Sequence, residues 1–583
     1  MKVLLTGNEA IAHGAYAAGV TVACGYPGTP STEILESLAK YEDVDASWAP
    51  NEKVALEVGI GASLAGARAL VTMKHVGLNV AADPLFTLAY TGVNGGIVVI
   101  TADDPGMHSS QNEQDNRHYA KAAKIPMLEP SDSSEAAWLI EKAFTISERF
   151  DTPVLLRTTT RVNHSKSLVD ASDERVQKEP SYEKDPQKYV MVPAHAQKRR
   201  EVVESRMAAL ADYAEEFPGN RVEWGDRQIG FITSGISYQY VRETFPEASV
   251  LKIAMINPLP KRMITDFIDH VERAIVVEEL DPYIEDQIRG WGLTVEGRNY
   301  IPGIGELNTE IIREALNEEE IEAPVEDVKT EEMPQRPPML CPGCPHRGVF
   351  YTLSRMKLIV NGDIGCYTLG VMPPLNAMDS CICMGASIGN AEGMHKATGR
   401  KDIVAVIGDS TFVHSGITPL INTFYNQDPT TTIILDNRTT AMTGRQGHAG
   451  TGVKLQGENT KPLDFEQLTR AIGIESVQVI DPYELKEVRQ ALEEAIAQDE
   501  PSVIISQRPC LLVERSKNGP LMVTADNCIG CKVCLRLGCP SISWKDERAV
   551  IDTASCVGCG VCAQLCKSDA IVEYTQPDKG AGI

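Results

Sequence analysis

Short, unbroken apolar runs recur along this chain, separated by segments with helical spacing or rich in Ala and Gly. Residues 1–165 carry VTVAC, IVVI and PVLLR; residues 228–316 carry QIGFIT, VLKIAM and AIVVEE. Residues 339–512 carry IVAVIG at 403–408 and TTIILDN at 431–437, with a helical pattern between them. Apolar runs of this length without alternation predict strands covered on both faces, as in parallel sheets. Residues 166–227 are polar and predict one helix, RREVVESRMAALADYAEEF, over 199–217. Residues 317–338 hold eight acidic residues and four prolines, a linker by composition. The fold class is therefore α/β and multidomain, with doubly wound sheets, followed by a cysteine-rich tail over 520–583. No internal repeat is visible beyond the paired cysteine motifs of that tail.

Length adds a domain count: at roughly 100–200 residues per domain, the 583 residues fit three to five domains. With 43% apolar and 23% charged residues the chain can bury large cores, and its net charge of −25 argues against a nucleic-acid partner. Asn8 and Glu9 interrupt the first apolar run, and no stretch approaches the ~18 apolar residues of a membrane span. A cytoplasmic location is expected. Thiols stay reduced there, so the 15 cysteines read as metal ligands or buried residues rather than disulfides.

The tail holds two cysteine runs. Cys528, Cys531, Cys534 and Cys539 are spaced x2, x2, x4; Cys556, Cys559, Cys562 and Cys566 are spaced x2, x2, x3. Two zinc sites are the alternative, but zinc prefers two separated pairs around one ion, and the third close cysteine in each run favours a [4Fe–4S] cube. The segment resembles a bacterial two-cluster ferredoxin (an α+β module), in which the fourth cysteine of each run ligates the other cluster. The resemblance implies one cluster on Cys528, Cys531, Cys534 and Cys566, and a second on Cys556, Cys559, Cys562 and Cys539. Two departures stand out: one extra residue before Cys539, and Lys567 where proline is common.

IVAVIG and TTIILDN put Asp409 and Asn437 at the C-terminal ends of two strands, where open α/β sheets bind ligands. A carboxylate and an amide oxygen are hard ligands that suit Mg²⁺ bridging a diphosphate. Gly408, Asp409 and Ser410, with Asn437 beyond, resemble the thiamine diphosphate signature. The resemblance implies Mg²⁺ on Asp409, Asn437 and the carbonyl of Thr439, with Gly408 admitting the phosphates.

The N-terminal region resembles the pyrimidine-binding half of the pyruvate:ferredoxin oxidoreductase family, through GYPGTPSTE at 25–33 and APNEKVALEVGIGASLAGARALVTMKHVG at 49–77. The resemblance implies that Glu52 is the acid that activates the cofactor. A first-turn glutamate that only complements a helix dipole is the alternative, and Glu57 competes for the role. Thr29 would hydrogen-bond a substrate carboxylate, although PGTP is also good turn chemistry. Arg117 would pair with that carboxylate if it does not face solvent. His75 and His108 are further candidates for the same pocket. The family also implies a third [4Fe–4S] cluster, near the cofactor, on Cys341, Cys344, Cys366 and Cys510. Alternatively Cys366 and Cys510 are ordinary buried thiols. Cys24, Cys381 and Cys383 read as core residues.

The domain order is then a pyrimidine-type thiamine domain (1–165), a connecting segment (166–227), a transketolase C-terminal-like domain (228–316), the linker (317–338), a diphosphate- and Mg-binding domain (339–512) and the ferredoxin module (520–583). Together with CPGCPHR, this order resembles the alpha subunits of the indolepyruvate:ferredoxin oxidoreductase family. The implied reaction turns an arylpyruvate and coenzyme A into aryl-acetyl-CoA and CO2, with electrons passed to ferredoxin. No domain here matches the family's gamma-type domain, so a smaller beta subunit carrying it is expected, in a heterodimer that dimerises further. Thiamine enzymes also commonly join cofactor halves across a chain interface. A relative acting on pyruvate, branched-chain acids or phenylglyoxylate, or an electron-transfer scaffold with an inactive thiamine site, are the alternatives.

Overall fold

The computed structural model describes residues 2–171, 174–182, 184–316 and 337–574. Apart from Pro337 and Pro338, the expected linker lies outside the described residues, as does the end of the tail module, 575–583. The chain forms two compact units, residues 1–326 with 455–457 and residues 327–454 with 458–583. Among the described residues, no helix is long and apolar enough to cross a membrane.

The first unit is built on a seven-stranded sheet. Its order is Met255–Asn257, Met127–Leu128, Val154–Thr159, Ile97–Asp103, Arg68–Lys74, Val20–Gly25 and Asp45–Trp48. Every pairing is parallel except that of the first two strands. Both faces are covered, which is why the strands read as unbroken apolar runs. Ala69, Val71, Ile97 and Val99 enter one core, while Leu70, Val98 and Ile100 enter the other. Each fully buried Val, Leu or Ile contributes roughly 1.5–3 kcal/mol.

A second, four-stranded sheet runs Arg273–Val277, Asp226–Ser234, Ala248–Ile253 and Arg221–Glu223. Two features differ from the expected pattern of elements. VLKIAM is not one strand: the chain leaves this sheet after Ile253, and Met255–Asn257 pairs with Met127–Leu128 of the larger sheet. The side chain of Asn220 makes the break, its Oδ1 accepting from the amides of Ala254 and Met255 at 2.8 and 2.9 Å. The connecting segment is also structured. Lys166–Asp170 pairs antiparallel with Lys2–Thr6, the predicted helix spans Pro193–Glu216, and Arg221–Glu223 edges the second sheet.

Buried charge ties these two sheets together. Arg117 is 1% exposed and holds Asp115 through Nε and Nη2 at 3.0 and 2.5 Å. Its Nη1 donates to Glu278 at 2.6 Å, and Nη2 donates to the carbonyls of Glu279 and Asp281 at 2.8 and 2.9 Å. Arg157 extends the network to Asp103 at 2.7 Å and to Glu129. Burial opposes the charge on Asp115, but Arg117 and then Arg157 hold its carboxyl well below the ordinary range. Burial drives Asp103 and Glu279 the other way, to about 7. The donors of Arg117 are thus spent on internal acceptors, facing neither solvent nor a free carboxylate position as was expected of it.

The second unit carries a six-stranded, fully parallel sheet in the order Ser380–Cys381, Ile359–Gly362, Ile403–Gly408, Thr431–Asp436, Ser502–Gln507 and Ser476–Ile480. Val404 and Val406 face one core; Ile403, Ala405 and Ile407 face the other. The tail follows as two antiparallel pairs, Leu521–Val523 with Ile571–Glu573 and Ile542–Lys545 with Arg548–Ile551. Its small core includes Tyr483 and Leu485 of the preceding domain.

Removing one partner from a buried ion pair leaves the other charge uncompensated, at about 3–5 kcal/mol. Arg117→Met should lower the unfolding free energy by an amount on that scale and move the denaturant midpoint down accordingly. An unchanged midpoint with weakened 2-oxoacid binding would return Arg117 to the substrate.

Candidate active site

Strands Ile403–Gly408 and Thr431–Asp436 lie side by side, with Gly408 opposite Leu435, so Asp409 and Asn437 emerge together at their C-terminal ends. Asp409 is 3% exposed and accepts from the amides of Ser410 and Arg438 at 2.7 and 2.8 Å. Asn437 Oδ1 accepts from the amide of Thr439 at 3.0 Å, and Thr440 Oγ1 donates to Ser410 Oγ at 3.0 Å. This is a compact set of buried oxygens, of the chemistry that holds Mg²⁺.

Two histidines that sequence reasoning missed complete the set. His346 Nε2 accepts from Asn437 Nδ2 at 3.1 Å, and His448 Nε2 lies 3.1 Å from Asp409 Oδ2. Burial, only partly offset by Asp409, pulls His346 down to about 4. It is therefore neutral near pH 7 and can accept the hydrogen bond from Asn437 Nδ2–H that turns Asn437 Oδ1 away from it. CPGCPHR contains His346 and was the available signal; His448 stands in no motif. Gly408 has a further reason to be glycine: a Cβ there would come 2.7 Å from the Tyr367 ring.

In the N-terminal unit, Glu52 opens the helix Glu52–Leu64, capped by Asn51, whose side chain accepts from the amide of Val54 at 2.9 Å. Glu52 is only 5% exposed. A Cβ at residue 77 would fall 2.6 Å from its Oε1, so Gly77 makes room for the carboxyl. Glu57 is exposed and bound to Lys53, which separates the two candidates. Thr29 is half-buried, with its carbonyl 3.4 Å from Ser109 Oγ.

The cation beside that loop is Lys74. A Cβ on Gly28 would come 3.0 Å from the Lys74 Cβ, and Lys74 Nζ donates to the Ser109 carbonyl at 2.6 Å. Burial, opposed by Asp104, lowers Lys74 to about 8. His75 is fully buried, whereas His108 stays half-exposed against Glu306.

The tail cysteines line two cavities. Cys528, Cys531, Cys534 and Cys566 surround one of about 20 Å³. Cys539, Cys556, Cys559 and Cys562 surround the other, also of about 20 Å³, together with Pro342, Gly343, Cys344 and Arg347. Each cavity takes three thiols from one run and the fourth from the other. The extra residue before Cys539 is absorbed by Gly538, whose φ of 68° only glycine adopts readily.

Cys341, Cys344, Cys366 and Cys510 also converge. Burial pushes Cys344 up to about 12, with Cys341 and Cys366 adding to it. Burial pushes Cys366 up to about 11, with Cys510 and Cys341 adding. The Cys510 amide donates to the Asn437 carbonyl at 2.9 Å, so this group adjoins the oxygen set. Among the described residues no three thiols have sulfurs within 4.8 Å of one another. Of the cysteines read as core, Cys24 is buried, Cys381 half-buried and Cys383 exposed; Cys383 follows a strand of two residues at the sheet edge and has no second face to cover it.

Comparison with known proteins adds to this geometry. Residues 363–506 match the family described as "Thiamine pyrophosphate enzyme, C-terminal TPP binding domain". Residues 13–218 match "Pyruvate flavodoxin/ferredoxin oxidoreductase, thiamine diP-bdg", and 549–572 match "4Fe-4S binding domain". The indolepyruvate oxidoreductase subunit IorA of Archaeoglobus fulgidus is 42% identical over 607 residues, covering 98% of this chain and 97% of that one. The Pyrococcus abyssi subunit of the same name is 40% identical, covering 98% and 96%. The 2-oxoglutarate synthase subunit KorA of A. fulgidus is 24% identical over 47% of this chain and 87% of its own. With near-complete coverage at this identity, the chain belongs to the indolepyruvate oxidoreductase subunit IorA family, and it is a 2-oxoacid:ferredoxin oxidoreductase that uses thiamine diphosphate and iron–sulfur clusters.

Proposed function

We propose that this chain oxidatively decarboxylates arylpyruvates of the indolepyruvate and phenylpyruvate type. One arylpyruvate, one coenzyme A and two oxidised ferredoxins give aryl-acetyl-CoA, CO2, a proton and two reduced ferredoxins. The observation that carries the oxidative part is the run of thiols leading away from the cofactor oxygens. It starts at Cys510, hydrogen-bonded to Asn437, and continues through Cys344 to the cavity of Cys539, Cys556, Cys559 and Cys562. A non-oxidative decarboxylase has no use for such a path. The aryl preference rests on the relatives named for indolepyruvate.

When bound, thiamine diphosphate supplies the nucleophilic carbon and takes up the electrons left by decarboxylation. The chain's residues divide the remaining work. Glu52, buried at a helix start, holds the proton that activates the cofactor. Asp409, Asn437 and the Thr439 carbonyl hold Mg²⁺, with His346 orienting Asn437; Gly408 and Ser410 flank the diphosphate. Thr29 and Lys74 bind the substrate carboxylate, Lys74 taking the place first given to Arg117. Cys341, Cys344, Cys366 and Cys510 carry the cluster nearest the cofactor. The two tail clusters take Cys539, Cys556, Cys559 and Cys562, and then Cys528, Cys531, Cys534 and Cys566. A smaller partner subunit supplies the coenzyme A site, and ferredoxin takes the electrons.

In the complex with its partner subunit, kcat/KM should be higher for indolepyruvate and phenylpyruvate than for pyruvate or 2-oxoglutarate. The reverse order would move the chain to another substrate branch. Glu52→Gln should cut turnover by about 10²–10⁴-fold, the range of a proton-transfer group, while thiamine diphosphate binding and iron content stay at wild-type values. Retained turnover would remove Glu52 from the mechanism.

Lys74 is charged below about pH 8 and neutral above it. KM for the 2-oxoacid should therefore rise as pH passes 8, with kcat changing less. Lys74→Met should show the raised KM at every pH and lose this dependence. An unaltered KM in that variant would exclude Lys74 from the carboxylate site.

A further inference from the structure

Arg347 follows the CPGCPH motif on the helix His346–Met356 and is 3% exposed. Its hydrogen bonds go to main-chain carbonyls on two sides. Nη2 donates to Leu340 and, at 3.0 Å, to Cys341, beside the thiols that adjoin the cofactor oxygens. Nη1 donates to Leu537 at 3.0 Å and Gly538 at 2.5 Å, in the tail turn that delivers Cys539. Its Nε has no hydrogen-bond partner among the described residues, and the hydrogen bonds of its two Nη atoms go to carbonyls rather than to a carboxylate. The same side chain lines the cavity shared by Cys344, Cys539, Cys556, Cys559 and Cys562.

A buried guanidinium with no carboxylate is costly unless an anion stands beside it. An iron–sulfur cube in four thiolates is such an anion, and becomes more negative on reduction. We propose that Arg347 is a positioning residue that locks the tail module onto the Cys341–Cys344 loop and raises the reduction potential of the cluster held by Cys539, Cys556, Cys559 and Cys562. This rests on the cluster assignment proposed above. Net charge and hydrogen bonds to the sulfurs set the potential of such a cluster, and a fixed cation with a spare N–H acts through both. The fork geometry matters as well: lysine keeps the charge but cannot span four carbonyls.

The test is an EPR-monitored redox titration of the anaerobically purified complex, comparing wild type with R347Q and R347K. Under the proposal R347Q moves one cluster midpoint to lower potential at wild-type iron content, leaves the cluster of Cys528, Cys531, Cys534 and Cys566 in place, and R347K restores most of the shift. Midpoints unchanged in R347Q, or an R347K midpoint as low as that of R347Q, would overturn it. If R347Q loses iron, R347K alone decides: a midpoint near wild type supports the charge effect and a lowered one refutes it. Failure of the cluster assignment shows separately, as fewer than about eight irons per wild-type chain.

Discussion

A guanidinium taken out of water must find fixed acceptors inside the protein, and this chain uses that constraint twice to hold its parts in register. Arg117 reaches from the large parallel sheet to Glu278 and to the carbonyls of Glu279 and Asp281 beyond the second sheet. Arg347 does the same between the Cys341 loop and the tail turn before Cys539. Neither bridge is prized for net stability, since buried charges return little more than they lose on desolvation. Each one makes any other arrangement of the two parts expensive.

Within the second unit the fixity extends to the chemistry. The ends of two parallel strands bring Asp409 and Asn437 together, and a neutral His346 sets the amide of Asn437. One residue on, Arg347 anchors the tail. The oxygen set and the first step of the thiol path are thus governed from a single helix start, and a shift of that helix would disturb cofactor and wire together. Tyr483 strengthens the joint: its hydroxyl donates to the Gly343 carbonyl at 2.5 Å, and its own carbonyl accepts from Gln564 of the tail at 2.6 Å.

Much of this was legible in the sequence where the cause is local. Strands covered on both faces appear as unbroken apolar runs, and the exchange of Cys539 and Cys566 between cavities follows the ferredoxin that the cysteine spacing resembles. Glu52 could be preferred to Glu57 only as a matter of resemblance; burial against Gly77 is the physical difference between them. What depended on distant partners was not legible. Arg117 sits in a polar segment that looks exposed, and its decisive partner Glu278 lies 161 residues away. Lys74, in an apolar run, gave no sign that it would be the cation beside Thr29. VLKIAM has the composition of one strand, and nothing in it announces that Asn220 will divide it between two sheets.

The central claim is an unbroken path of three clusters from the thiamine site to the outer end of the tail. Iron per chain in anaerobically purified protein, with EPR of the reduced form, tests it most directly. The account requires about twelve irons and three cubane signals. About eight irons, with signals from the tail alone, would contradict it and leave Cys341, Cys344, Cys366 and Cys510 as ordinary thiols.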